Sequence, residues 1–407
     1  LNCRHCGEPL TIPFLDLGFA PPSNAYLKHA DLTRVEHYYP LKLLVCDTCW
    51  LVQTDDYAAR ETLFDSDYAY FSSTSEQWLA HARRYTSSIV EELGLGANSF
   101  VIEVASNDGY LLRNFVSAQI PCLGIEPTAS TAARAEELGI PVLREFFGVE
   151  LARSLADKGQ LADLVIGNNV FAHVPDVNDF AAGLKTVLKA SGTITLEFPH
   201  LVSLLGETQF DTVYHEHFSY FSLHAVERIF GTAGLRVCRV EQLPTHGGSL
   251  RVYGCHADDP RADDASVERI RLLEVERGTT RRETYQGFQS RVDEAKNGLL
   301  KFLLECKDKG LAVAAYGAAA KGNTFLNYAG VKPDLLPYVC DAAPSKQGKY
   351  MPGSHIPIVS PAALEEARPD IVLILPWNIA DEVIAQQAPV LGAAVRFAVA
   401  IPAVRFL

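Results

Sequence analysis

Hydrophobic positions between residues 76 and 257 switch repeatedly between helical spacing and short unbroken runs. Gln77–Leu93 carries apolar residues at helical intervals, and Phe100–Val104 is a compact run of the buried-strand type. Helical spacing returns at Leu111–Ala118, Ser130–Leu138 and Val177–Leu188, separated by strand-like runs at Cys122–Ile125 and Leu164–Gly167 and followed by one at Thr193–Phe198. Strands alternating with helices predict a parallel sheet covered on both faces. Residues 258–309 are dense in charge, with Ile270, Leu273 and Val275, then Leu299, Leu300, Leu303 and Leu304, at helical spacing. That pattern predicts long helices and a domain boundary near Ala257–Asp264. A second alternating series starts at Leu311, with strands at Ala312–Tyr316, Tyr338–Cys340, Ile371–Leu375 and Ala394–Val399 and helices at Thr324–Tyr328, Pro361–Ala367 and Ala380–Gln386. Residues 1–70 read as loop-rich, with turn signals at Asp16–Gly18 and Pro21–Asn24. The expected architecture is α/β: a small N-terminal module, then two tandem doubly wound units, 71–257 and 258–407.

Length agrees with this division, since 407 residues at roughly 100–200 per domain make two to four domains. A composition 48% hydrophobic and 21% charged is that of an ordinary globular protein. The net charge of −13 argues against nonspecific binding to nucleic acid or an anionic membrane, which the protein's field repels. An anionic substrate would need a local cluster of Lys, Arg or backbone N–H groups. No apolar stretch approaches the ~20 residues of a membrane span, and no basic, apolar leader opens the chain, so a cytoplasmic protein is expected. Four of the nine cysteines form two pairs, Cys3-x-x-Cys6 and Cys46-x-x-Cys49. Four thiolates in two knuckles suit a closed, tetrahedral, structural Zn²⁺ site, with His5 as a substitute ligand.

Two strand ends carry ligand-type chemistry. In Val101-Ile-Glu-Val-Ala-Ser-Asn-Asp-Gly109 a strand bearing Glu103 runs through a small-residue turn (Ala105, Asn107, Gly109) into a helix, which lets backbone approach a ligand at the helix start. The next strand ends in Glu126-Pro127, 23 residues after Glu103, a usual interval for a carboxylate that holds ribose hydroxyls. Asn168-Asn169 close the following strand. This pattern resembles class I S-adenosylmethionine (SAM) methyltransferases, with Ala105 where the commonest pattern has its first Gly. No Gly-x-Gly-x-x-Gly is present for NAD.

The densest proton-transfer chemistry is Tyr214-His-Glu-His-Phe-Ser-Tyr-Phe221, in a loop after the Thr193–Phe198 strand. His217 and Glu216 are candidate general bases, and Tyr214 is a hydroxyl that could steady an oxyanion. A metal held by His215 and His217, or a polar interdomain loop, are the alternatives. In Thr245-His246-Gly247-Gly248-Ser-Leu-Arg251 a His and an Arg flank a Gly-Gly turn, suited to a ligand loop or an ordinary hairpin. In the C-terminal unit, Tyr316-Gly-Ala-Ala-Ala-Lys321-Gly322-Asn323 is a strand, a small-residue turn and a helix start that can face a phosphate. Asp341 and Trp377 end later strands, so this unit reads as the sugar-nucleotide half of a cleft or as a purely structural domain.

Together these stretches, with Tyr68-Ala-Tyr70-Phe-Ser72-Ser73 and Asn169–His173, resemble the NDP-sugar C-methyltransferases from end to end. The resemblance implies a zinc-binding domain followed by two Rossmann-like domains, the first binding SAM and the second contributing to sugar-nucleotide binding. It implies an NDP-4-keto-6-deoxysugar substrate, methylated at carbon, commonly C-3. His217 would be the base, Tyr214 and Glu216 would line its pocket, and His173 would lie near the sugar. Tyr70, or Tyr68, would reach the reactive centre or SAM, with Ser72 beside them. An O- or N-methyltransferase and a noncatalytic sugar-nucleotide-binding protein are the rival readings. Three domains could cover the cleft within one chain, so a monomer is expected.

Overall fold

The computed structural model describes residues 1–55 and 71–407. Its centre is a seven-stranded sheet made of Val101–Val104, Cys122–Ile125, Val142–Leu143, Ala162–Asn168, Leu188–Pro199, Leu235–Leu243 and Ser249–His256. Across the sheet these strands lie in the order third, second, first, fourth, fifth, seventh, sixth. The first five are parallel, and the seventh runs antiparallel between the fifth and the sixth. Val101–Val104 is buried at every position, as a parallel strand covered on both faces must be. Four of these strands follow the sequence pattern. Val142–Leu143 is too short to show a period, and the helix Val149–Asp157 was not expected. The Gly-Gly turn joins the last two strands, so it is a hairpin.

The C-terminal sheet holds Val313–Tyr316, Val339–Cys340, Ile358–Val359, Ile371–Ile374, Arg396–Val399 and Arg405–Phe406. Their order is third, second, first, fourth, fifth, sixth, with only the last antiparallel. Both sheets therefore reverse strand order between their first and fourth strands. Ligand crevices in open α/β sheets lie outside the carboxyl ends of the strands at such a switch point.

The N-terminal module differs from the loop-rich expectation. Ile12–Ala20, Tyr39–Val45 and Val52–Thr54 form an antiparallel sheet, which Ser219–Tyr220 completes as a fourth strand. Register shifts after Pro13 and Asp16 interrupt the two-residue alternation, which hides the first strand from a pattern search. The module bridges the other two units. Phe14 packs on Tyr285 and Phe288, with ring centroids 5.2 and 4.7 Å apart, while Cys3, Cys46, Cys49 and Leu51 join the core of the central unit. Long helices occupy the charged stretch as expected, Ala265–Arg277 and Phe288–Asp308. The first begins at the Asp264 cap and buries Val267 and Ile270 in the central core. Among the described residues, no helix is long and apolar enough to cross a membrane.

Candidate active site

The four cysteine sulfurs converge within 4.8 Å of one another, the only such metal-ligand group among the described residues. Backbone N–H groups of Thr48 and Cys49 donate to Cys46 Sγ at 3.4 and 3.5 Å. Gln53 Nε2 donates to Cys3 Sγ at 3.2 Å. Donors aimed at sulfur favour thiolates, the form a metal needs. His5 turns away and meets Asn178 Oδ1 at 2.8 Å.

At the central switch point Glu103 is wholly buried, and among the described residues neither of its carboxylate oxygens has a hydrogen-bond partner of ordinary geometry. Burial, then Asp108 and Glu126, hold its pKa well above the usual carboxylate range. Glu126 accepts the backbone N–H groups of Asn107 (3.0 Å) and Thr128 (2.9 Å); burial raises its pKa too. Pro127 links Glu126 to that Thr128 contact. Ala105, Asn107 and Asn169 all take left-handed φ, at 56°, 51° and 53°. Ala105 thus adopts a conformation that glycine reaches without strain. Gly109 has a packing role: a Cβ there would lie 2.4 Å from Ile140 Cδ1. Asn107 Oδ1 accepts the N–H of Ser72 at 2.9 Å, so Ser72 docks beside this loop. The buried Oδ1 atoms of Asn168 and Asn169 have no partner among the described residues. Tyr68 and Tyr70 lie outside the described residues.

The reactive loop adjoins these strand ends. His217 Nδ1 is 2.9 Å from the carbonyl oxygen of Thr212. A carbonyl only accepts, so Nδ1 carries the proton and Nε2 keeps its lone pair. Burial, then the neighbouring His173, hold His217 well below the usual histidine pKa. His173 repeats the arrangement, with Nδ1 2.8 Å from the Glu216 carbonyl oxygen and burial lowering its pKa to about 4. The ring centroids of His173 and Tyr214 lie 4.6 and 4.0 Å from that of His217. Asn24 donates to both Glu216 carboxylate oxygens at 2.8 Å. His215 points elsewhere, 3.2 Å from the Pro40 carbonyl oxygen, and does not join His217 in a metal site.

The C-terminal switch point faces this loop. Lys321 Nζ donates to Asn378 Oδ1 at 2.6 Å and lies 4.6 Å from the Trp377 ring centroid. Burial lowers the Lys321 pKa, and Asp211 opposes that shift. Trp377 Nε1 donates to Asp211 Oδ2 at 2.7 Å; burial raises Asp211 to about 6. Gly247 seats against Trp377, where a Cβ would come within 2.2 Å of the indole. Asn323 is fully buried, with both amide atoms unpartnered among the described residues. Asp341 accepts from the N–H groups of Ala318 and Ala343, each at 2.8 Å, and so braces the small-residue turn.

Arg251 is held in a network of acids. Its guanidinium pairs with Glu197 at 2.6 Å and Glu241 at 3.2 Å. Glu197 also accepts from Thr245 (2.9 Å) and meets His81 Nε2 (2.9 Å). Burial pushes the Glu197 carboxyl up, but His81 and Arg251 outweigh it and bring the pKa down to about 2. Glu197 stands inside the buried run Leu196-Glu197-Phe198, a charge in an apolar strand that could have flagged it. Asn24 and Asp211 carry no comparable signal.

Three family descriptions match the chain in order: a zinc binding domain over residues 3–64, a methyltransferase domain over 78–240 and a C-methyltransferase C-terminal domain over 244–402. The C-methyltransferase NovU of Streptomyces niveus is 33% identical over 406 residues, covering 100% of this chain and 96% of the relative. A magnesium protoporphyrin IX methyltransferase structure from Synechocystis is 14% identical and covers 44% of this chain and 82% of its own, with a TM-score of 0.35. A methyltransferase structure from Clostridium acetobutylicum is 9% identical and covers 44% and 92%, with a TM-score of 0.36.

Proposed function

The chain belongs to the SAM-dependent C-methyltransferase family that includes NovU, and on that premise we propose that it methylates the carbon beside the ketone of an NDP-4-keto-6-deoxysugar, at C-3. The observation that carries this reading is the contact of His217 Nδ1 with the Thr212 carbonyl oxygen, 2.9 Å. It leaves an unprotonated Nε2 in the crevice and keeps the ring neutral and oriented, as a base for a C–H acid requires. The four cysteines hold a structural Zn²⁺, since their sulfurs converge and accept N–H donors.

SAM, when bound, supplies an electrophilic methyl group on a sulfonium centre. Glu126 holds its ribose hydroxyls, and Asn107, Asn168 and Asn169 line its path at the strand ends. His217 Nε2 takes the proton from the carbon beside the ketone, and the Thr212 carbonyl steadies the imidazolium that results. Tyr214 and His173 pack against the base and exclude water. Lys321 and the Trp377 face receive the nucleotide. An incoming diphosphate offsets the positive field of Lys321, so the base strengthens when substrate binds.

The test is mass spectrometry of reactions with SAM and a panel of NDP-4-keto-6-deoxysugars in H₂O and in D₂O. Gain of one methyl on carbon, with solvent deuterium entering the sugar, is expected. Methyl gain without exchange would point to O- or N-methylation. No mass change and no SAM binding would point to a noncatalytic binding protein.

A further inference from the structure

We infer that His246 is a further catalytic residue, whose ring N–H donates a hydrogen bond to the substrate's carbonyl oxygen as the enolate forms. This rests on the reading above and names the group that receives the developing charge.

Four observations lead there. The His246 backbone is left-handed, φ 55° and ψ 19°, strained for a residue with a Cβ and the kind of outlier that gathers at functional sites. The surroundings impose that shape. Thr245 Oγ1 donates to Glu197 at 2.9 Å, Gln209 Nε2 donates to the Gly247 carbonyl oxygen at 2.8 Å, and Gly248 N–H donates to the Thr245 carbonyl oxygen at 2.9 Å. The buried Nδ1 of His246 has no hydrogen-bond partner among the described residues, which is costly unless a ligand supplies one.

Position supplies the fourth. The His246 ring meets Trp78 edge-on at 5.2 Å, and Trp78 stacks on Tyr110 at 5.8 Å. The Tyr110 hydroxyl accepts from Asn168 at 3.5 Å, at the end of the fourth strand. The next residue, Gly247, sits against Trp377, whose face carries Lys321. His246 therefore stands between the cofactor side and the sugar-nucleotide side of the crevice, where the reacting carbon must lie. Burial, then Lys321, lower its pKa to about 4, so the ring is a neutral donor at pH 7 and does not give up its proton.

The step balances. His217 Nε2 takes the C–H proton, and the C–H electron pair moves into the enolate, whose oxygen the His246 N–H holds. The new C–C bond to the methyl uses that pair and restores the carbonyl. The sulfonium leaves as a neutral thioether, and His217 returns its proton to solvent.

The experiment follows deuterium uptake and turnover with the ketosugar nucleotide that the wild-type protein methylates. In His246→Asn the side chain tolerates left-handed φ but is too short to reach. Exchange and kcat should fall roughly 10²–10³-fold, while KM and SAM affinity stay within about threefold. Thr245→Val removes only the hydrogen bond to Glu197 and should lower kcat about tenfold with KM unchanged, the mark of a positioning residue. Wild-type exchange in His246→Asn would overturn the inference while leaving the proposed function standing. Equal losses in kcat, KM and SAM affinity would overturn it in favour of a packing role. A wild-type protein that methylates no ketosugar would overturn both.

Discussion

Asn24 donates its side-chain amide to both carboxylate oxygens of Glu216, 2.8 Å to each, across 192 residues of sequence. Asn24 belongs to the N-terminal module and Glu216 immediately precedes His217. The same module pairs Val52 with Tyr220 and Gln53 with Ser219, and Thr54 N–H donates to the Phe218 carbonyl oxygen at 3.1 Å. The segment carrying His217, the proposed base, is thus gripped on both sides by a module that contributes nothing to the central sheet.

Asn24→Ala removes two hydrogen bonds to a buried acid. Hydrogen bonds to charged groups are worth about 1.5–3 kcal/mol, so a kcat loss of about tenfold or more is expected. SAM affinity should not change, because Glu103 lies in the strand Val101–Val104 and Glu126 just after Cys122–Ile125, away from the Asn24 contact. Steady-state kinetics and titration calorimetry on one preparation would check both halves.

His217→Asn keeps a polar side chain but removes the imidazole lone pair. A lost general base costs about 10²–10⁴ in rate, and turnover should fall by that much with SAM binding near wild type. Wild-type turnover would remove His217 from the role of base.

Chemistry was legible where it sits on strand ends and in one dense run. Glu103 and Glu126 stand out because acids seldom end buried strands without a reason, and Tyr214–His217 because four reactive side chains adjoin. What escaped depends on distance in sequence. Glu197 gathers His81, Thr245 and Arg251 from three elements, and no local spacing reports that. The same network explains Arg251, whose position beside the Gly-Gly turn suggests a ligand contact although its charge is already balanced. The N-terminal sheet escaped because its first strand is bulged and its last, Ser219–Tyr220, comes from the central unit.

Acid should destabilise the protein below neutrality. His173 and His246 have pKa values lowered to about 4, and that of His217 lies well below its ordinary value. Unfolded histidines titrate near ~6.5, so between about pH 6.5 and 4 the unfolded chain binds protons that the fold refuses. Stability therefore rises with pH through that window and is lost as pH falls. Asp211, raised to about 6, acts oppositely: the fold holds its proton where the unfolded chain has released it. Glu103 and Glu126, also raised, act as Asp211 does, while burial lowers His215 and His224 too; five histidines against three acids leave the melting temperature lower at pH 5 than at pH 7. His173→Gln should flatten that dependence, and a scanning-calorimetry series across the window would show it.

Removing the metal should damage catalysis more than cofactor binding. Val52–Thr54 begins three residues after Cys49, so closure of the four-sulfur site fixes where that strand starts and hence its pairing with Ser219–Tyr220. Without a metal the two knuckles are tied to each other by weak sulfur contacts, Cys3 to Cys49 and Cys6 to Cys46, beside the N–H···S contacts and the backbone turn within each. Cys49→Ser, or treatment with a strong chelator, should lower metal content below one per chain and raise protease sensitivity near the knuckles. Turnover should fall about tenfold or more, the scale of losing one hydrogen bond to a charged group, because the His217 segment loses one of its two anchors. SAM affinity should fall far less, since the strand ends proposed to hold the cofactor are held by the parallel ladder of the central sheet. Unchanged turnover in protein shown by elemental analysis to be metal-free would separate the cysteine site from the active site.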